Sequence, residues 1–290
     1  MNNPEKSKPT YLLTLSCPDT RGIVNAVSGW LIERDCNILD SAQFGDTKTG
    51  LFAMRLHFAA EGAAHDVAVL DTDFADLAGR FSMTWQLRSA DYRPRVLIMT
   101  SREHHCLHDL LYRHEIGELG TDIPFIVSNH RSAERLASAQ DIPFLHWPSS
   151  PGERSRWDDD LLELVEKDAI DFIVLARYMQ IITERVCAAL PARIINIHHS
   201  FLPGFKGARP YAQAHDRGVK LIGATAHYVT PDLDEGPIIE QDVMRVDHSM
   251  PSEEFAAIGR DLEKVVLARA VRYEAEQRVV LNGSKTIVFR

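Results

Sequence analysis

The 290-residue chain lacks any long hydrophobic run. Its longest apolar stretches span about 5 to 8 residues, far below the roughly 20 that a membrane-crossing helix needs. It also lacks an excess of positive charge. Lys and Arg number 32 against 41 Asp and Glu, a formal net charge of -9, which leaves no electrostatic footprint for nucleic acid. Cysteine is scarce: Cys17, Cys36, Cys106 and Cys187 stand far apart with no CxxC pair, so a disulfide framework and a zinc site are both disfavoured against buried free thiols. Residues 1–9 are polar with no apolar signal region, so the expected location is the cytoplasm. There is no internal repeat and no low-complexity segment.

What is present is ordinary globular material, 45% hydrophobic and 25% charged, long enough for two domains. Residues 9–88 read as a first domain. Tyr11 to Ser16 is a short apolar strand; Ile23, Val24, Val27, Trp30 and Leu31 recur at helical spacing. Ile38 to Phe44 reads as a strand, and Phe52, Met54, Leu56 and Phe58 alternate onto one face of another. A helix is expected over Ala64 to Ala78, then a strand with Met83, Trp85 and Leu87. The order βαββαβ is that of a ferredoxin-like unit. Residues 89–94 read as a linker ending in proline.

From Arg95 the pattern changes. Apolar runs Val96–Met99, Ile123–Val127, Ile142–His146, Phe172–Leu175 and Ile194–Ile197 alternate with amphipathic stretches at His104–His114, Ser132–Gln140, Trp157–Lys167 and Thr183–Leu190. This predicts an α/β domain over 95–290, doubly wound around a mostly parallel sheet. Thr183 suits an N-cap. Val219–Val229 and Pro237–Val246 are expected to pair through the Asp232–Gly236 loop, a long amphipathic helix to cover Ser252 to Gln277, and Thr286–Phe289 to add a strand.

Two polar runs fall at strand ends, where open α/β sheets place their ligand crevice. The first is Asn196-Ile197-His198-His199-Ser200-Phe201-Leu202-Pro203-Gly204-Phe205-Lys206-Gly207; the second is His227-Tyr228-Val229-Thr230-Pro231-Asp232-Leu233-Asp234-Glu235-Gly236-Pro237. Asn196 and His198 are two residues apart and share a strand face. An amide and an imidazolium can stabilise an oxyanion, and the Asp234 carboxylate can position or deprotonate a water. Each residue taken singly reads as well as a cap or a strand terminator; their joint occurrence favours carbonyl chemistry.

Asn-x-His followed by Ser-x-Leu-Pro and Gly, then His-x-Val-Thr-x-x-Leu-Asp-x-Gly-Pro, resembles the signature of the formyltetrahydrofolate hydrolase and formyltransferase superfamily, and the likeness runs over about residues 94 to 280. It implies that Asn196, His198 and Asp234 form the reaction site and that His227 supports the aspartate. Three features turn the resemblance toward the formyltetrahydrofolate deformylases. His199 stands where the formyltransferases usually carry proline. The first loop of the α/β domain, Thr100 to Leu111, lacks the glycines that let backbone N–H groups approach a nucleotide phosphate. And residues 11–88, with Cys17-Pro18-Asp19-Thr20-Arg21-Gly22-Ile23-Val24, resemble an ACT domain, although Thr20-Arg21 departs from the common Arg-Pro.

The resemblance implies hydrolysis of 10-formyltetrahydrofolate to formate and tetrahydrofolate, with formate going to purine synthesis and one-carbon pools kept in balance. It implies no permanently bound cofactor and no metal, so His104, His105, His108 and His114 are expected on the surface or on the site wall. Tyr178, Met179, Gln180, Ile182, Val229, Thr230 and Leu233 are the expected folate contacts. His199 is expected to order the attacking water. Asp19, Gly22, Ile23, Asn37 and Ile38 are the expected contacts of an amino-acid effector, methionine or glycine, in a dimer or tetramer of the chain. The alternatives are a formyltransferase with an amine acceptor and a non-catalytic amino-acid sensor.

Overall fold

Alternating apolar residues build the first unit of the computed structural model, which describes residues 8–60, 66–148, 154–204 and 210–290. The elements run β1 (Thr10–Pro18), α1 (Ile23–Ile32), β2 (Cys36–Asp46), β3 (Leu51–Ala60), α2 (Val67–Phe81) and β4 (Thr84–Ser89). The four strands form an antiparallel sheet in the order β2-β3-β1-β4. Phe52, Met54, Leu56 and Phe58 share a buried face with Leu13, Leu15, Val27, Leu31 and Phe74. Burying each such side chain contributes roughly 1.5–3 kcal/mol. Asp66 caps α2 by accepting from the Ala68 N–H at 2.8 Å, and Ser82, at φ 53°, ends it. Ala64, the expected start of this helix, lies outside the described residues. β2 is an edge strand exposed along almost its whole length.

The second unit begins at β5 (Arg95–Thr100) and continues through α3 (His105–Glu115), β6 (Asp122–Ser128), a 3-10 turn over Arg131–Ala133, α4 (Glu134–Ser138), β7 (Phe144–His146), α5 (Arg154–Lys167), β8 (Phe172–Ala176), α6 (Glu184–Ala189), β9 (Ile194–His198), α7 (Pro210–Asp216), β10 (Leu221–Tyr228), β11 (Ile238–Arg245) and α8 (Ser252–Ala275). Its seven strands are ordered β11-β10-β9-β8-β5-β6-β7. Those from β7 to β9 are parallel; β10 and β11 run antiparallel, joined by the loop that carries Asp234. Leu161 and Val165 of α5 and Val186 of α6 pack on Leu97, Met99 and Ile173. Thr183 caps α6 through Val186 N–H at 3.3 Å. The chain order reverses between β5 and β8, which opens the ligand crevice beyond their carboxyl ends.

The C-terminal residues depart from expectation. β12 (Val279–Asn282) and β13 (Lys285–Val288) form a hairpin that turns at Gly283, φ 62°. Val280 and Phe289 pack on Ala53, on the face of β3 opposite Phe52 and Met54. Thr14 Oγ1 donates to Gln277 O at 2.9 Å, and Asn282 Nδ2 to Asp46 Oδ2 at 2.8 Å. The units divide at Tyr92/Arg93 and again at Glu276/Gln277, so the second unit ends at Glu276 and not, as expected, at residue 290. The reason is that β1 and β3 bury both faces, and the second face needs cover from far along the chain.

Candidate active site

Backbone register assembles the site before any side chain is considered. β10 lies antiparallel to β9 with His227 opposite Asn196 and Thr225 opposite His198, and a bulge follows Ala226 on the β11 side. His227 Nδ1 lies 2.9 Å from its neighbour's carbonyl, Tyr228 O. A carbonyl only accepts, so Nδ1 carries the proton and Nε2 presents a lone pair. Asn196 Nδ2, 3.3 Å from that Nε2, donates to it. One amide N–H is thereby fixed, which orients the other.

Asp234 comes from the β10–β11 loop, with a left-handed backbone at φ 58°. The loop returns tightly: a Cβ on Gly236 would stand 1.7 Å from Tyr228 O, so only glycine fits there. Asp234 Oδ1 lies 3.2 Å from His198 Nδ1 and 3.8 Å from His227 Nε2. The hydrogen bond from His198 holds the Asp234 carboxyl below its ordinary range, so it is ionised. Burial pushes His227 down, which keeps that ring neutral. His198 is 6% exposed, and its Nε2 is buried with no hydrogen-bond partner. His199 packs edge-on against His198 and Tyr211, at centroid distances of 5.1 and 6.3 Å. Burial, the Arg177 charge and His198 depress it to about 4.

These five residues line a cavity of about 790 Å³. The structure puts Tyr178, Met179, Gln180 and Ile182 on one wall, from the loop after β8, and Val229, Thr230 and Leu233 on another, from the loop after β10. The first loop is braced by the residue that follows β5: Ser101 Oγ accepts from Met179 N–H at 3.0 Å and donates to Asn129 Oδ1 at 2.7 Å. The segment Phe205 to Gly207 of the first polar run lies outside the described residues. The expected effector residues belong to the first unit. There Asp19, Gly22, Asn37 and Ile38 are exposed, while the Ile23 side chain, 2% exposed, is part of the core. Ile23 falls inside because it opens α1, whose apolar face meets the sheet.

A further cluster was not foreseen. Glu263 of α8 is 1% exposed, accepts from Tyr211 Oη at 2.7 Å and lies 2.8 Å from His105 Nε2 and 3.4 Å from Arg177 Nε. Burial pushes its carboxyl up, but the His105 hydrogen bond and the Arg177 charge prevail and hold it below the ordinary range. Tyr211 fits because residue 259 is glycine; a Cβ there would meet its Cζ at 2.0 Å. All four polar residues line the same cavity. The available signal was a glutamate beside Leu262 in the apolar stripe of the last helix. Donor atoms of His105, Cys106 and Glu263 lie within 4.8 Å of one another. Burial and the Glu263 charge raise the Cys106 thiol, which retains its proton, and Glu263 is already engaged.

An amide, an imidazole and an ionised carboxylate around one cavity are groups suited to chemistry at a carbonyl carbon. The formyl transferase family model matches residues 94–271. A formyltetrahydrofolate deformylase of Bacillus subtilis is 49% identical over 278 residues, covering 96% of this chain and 93% of its own. The crystal structure of the formyltetrahydrofolate deformylase from Burkholderia mallei superposes with a TM-score of 0.93 at 48% identity, over 97% of this chain and all of that one. Glycinamide ribonucleotide transformylase 1 from Symbiobacterium toebii reaches 0.65 at 28% identity, over 71% of this chain and 98% of its own. The chain belongs, within the formyl transferases, to the formyltetrahydrofolate deformylase family.

Proposed function

We propose that this cavity hydrolyses 10-formyltetrahydrofolate to formate and tetrahydrofolate. The observation that carries the chemistry is His198: Asp234 holds its Nδ1 at 3.2 Å while Nε2 is buried without a partner. The pterin lies between the loops after β8 and β10. Asp234 accepts a proton from water as the water oxygen attacks the formyl carbon. The formyl oxygen becomes an oxyanion held by the free Asn196 N–H and by His198 as imidazolium. The proton that Asp234 took from water passes to N10 as the oxyanion collapses and the carbon–N10 bond breaks, which expels tetrahydrofolate and leaves formate. His227 is a positioning residue for Asn196, and His199, neutral and with Nδ1 buried and unpartnered, orders the water. The group needs no resident cofactor for these steps.

The test is formate release from 10-formyltetrahydrofolate with no amine present. Stoichiometric formate and tetrahydrofolate are expected; dependence on an added amine would instead make the chain a transferase. In cells, where the reading puts the chain in the cytoplasm and its formate into purine synthesis, added formate would relieve a purine requirement caused by loss of the chain. Among the described residues no helix is long and apolar enough to cross a membrane.

The same reading makes the first unit an ACT regulatory domain that pairs with a second copy through β2. This edge strand exposes Ile38, Leu39 and Phe44 at 36, 50 and 49%. An open apolar edge is a template for pairing. Methionine or glycine then binds near Asp19, Gly22, Asn37 and Ile38. Sedimentation is expected to give a dimer or tetramer that Leu39→Lys/Phe44→Lys dissociates, and calorimetry to show heat with one of the two amino acids. A monomeric wild type without such heat would refute this part.

A further inference from the structure

Arg177 follows the last residue of β8 and occupies the left-handed region at φ 63°, unusual for a residue with a side chain. Its side chain is only 14% exposed and lines the catalytic cavity. Among the described residues the guanidinium makes no hydrogen bond: Nε is buried and unpartnered, and its one ion pair is the 3.4 Å approach to Glu263 Oε2. The geometry explains why Glu263 does not satisfy it, since that carboxylate is taken up by Tyr211 and His105. Only Nε is among the buried unpartnered atoms, so the Nη N–H groups stay accessible and offer a fork that a ligand can complete. The planar fork matches a carboxylate in two parallel hydrogen bonds.

Three other facts place that ligand at the reaction centre. Orphaned buried nitrogens gather on the same cavity: His198 Nε2 and His199 Nδ1 join Arg177 Nε. The Arg177 charge acts on His199, whose ring lies 5.1 Å from that of His198. And the oxygen of the attacking water becomes an oxygen of the product, so the group that orders the water next faces formate.

We infer that Arg177 is the anchor of a formate site, holding the carboxylate product beside His199 after the carbon–nitrogen bond has broken. This rests on the proposed hydrolysis and extends it to a second, anionic subsite. Binding the anion there separates it from tetrahydrofolate, opposes the reverse reaction and orders product release. The glutamate tail of folate is the other source of a carboxylate; it is disfavoured because it lies at the far end of the substrate from the formyl group.

Product inhibition tests the site. With the unaltered chain, sodium formate is expected to inhibit, and formamide, its uncharged counterpart, to inhibit about tenfold more weakly or less. Arg177→Met is expected to raise the inhibition constant of formate about tenfold or more while that of tetrahydrofolate stays within roughly twofold, and Arg177→Lys to fall between, keeping the charge but losing the fork. Equal inhibition by formate and formamide would overturn the inference even if Arg177→Met failed to fold. So would equal shifts for formate and tetrahydrofolate. If Arg177→Met raised KM for the substrate but not for 10-formyltetrahydropteroate, which lacks the glutamate, the arginine would serve the tail and not formate. A wild type that releases no formate would instead sink the hydrolysis reading itself.

Discussion

Asp234→Asn is expected to lower kcat for formate release by about three orders of magnitude, roughly 4 kcal/mol of transition-state stabilisation. The substitution keeps shape and volume, so the β10–β11 loop, set by Gly236 against Tyr228 O, is retained. What is lost is the charge. The carboxylate that His198 holds ionised can accept the proton of water; the amide cannot. The amide also presents an N–H as readily as an oxygen toward His198 Nδ1, 3.2 Å away, and so ceases to dictate which imidazole nitrogen is protonated. Both losses are felt as charge develops, so kcat should fall while KM changes little. Steady-state formate release, with circular dichroism to establish folding, decides it. A rate within tenfold of wild type would remove Asp234 from the proton-transfer role.

The second large effect is on stability against pH, through His199. Its ring titrates at about 4 in the folded chain against an ordinary 6.5. As pH falls below 6.5 the unfolded chain binds a proton that the folded chain refuses until about pH 4. The unfolded state then holds more protons, so stability drops across this window by on the order of 3 kcal/mol, and is fully present above it. Other histidines push the same way; partial burial lowers His104 and His114, and full burial lowers His227. The contribution of His199 is isolated by comparing wild type with His199→Gln in denaturant unfolding at pH 7 and pH 4.5. The variant is expected to lose less stability between the two, with most of the 3 kcal/mol difference recovered. Identical losses would mean that the ring is not held neutral by its surroundings.

Local pattern carried much of this. The period of two in Phe52, Met54, Leu56 and Phe58 predicts the buried face of β3, because a pleated strand alternates its side chains whatever it packs against. The spacing of Asn196 and His198 puts both on one face of β9 for the same reason. Caps such as Thr183, and the glycine before Pro237, act within a few residues and so are visible in a string. The seven expected wall residues line the cavity from the loops after β8 and β10, but β10 runs antiparallel to β9, so strand direction alone does not bring these two loops together.

Contacts between distant segments were not visible. α7 was not foreseen; it is short, and its Tyr211 gains a place only from Gly259 of α8 and Glu263 one turn further on. Ile23, read both as part of the first helix's apolar stripe and as an effector contact, is core, and the C-terminal residues, expected to end the second domain, pack in the first unit. The sequence by itself determined most of the elements, the spacing that puts Asn196 and His198 on one strand face, and the family. Tertiary structure alone decided which nitrogen of His227 bears the proton, how far His199 is depressed, and that Arg177 stands in the cavity with its hydrogen-bond donors unused. The division has one physical cause. Secondary structure and face follow from near-neighbour geometry, whereas burial, protonation and hydrogen-bond satisfaction depend on which remote groups arrive within a few ångströms.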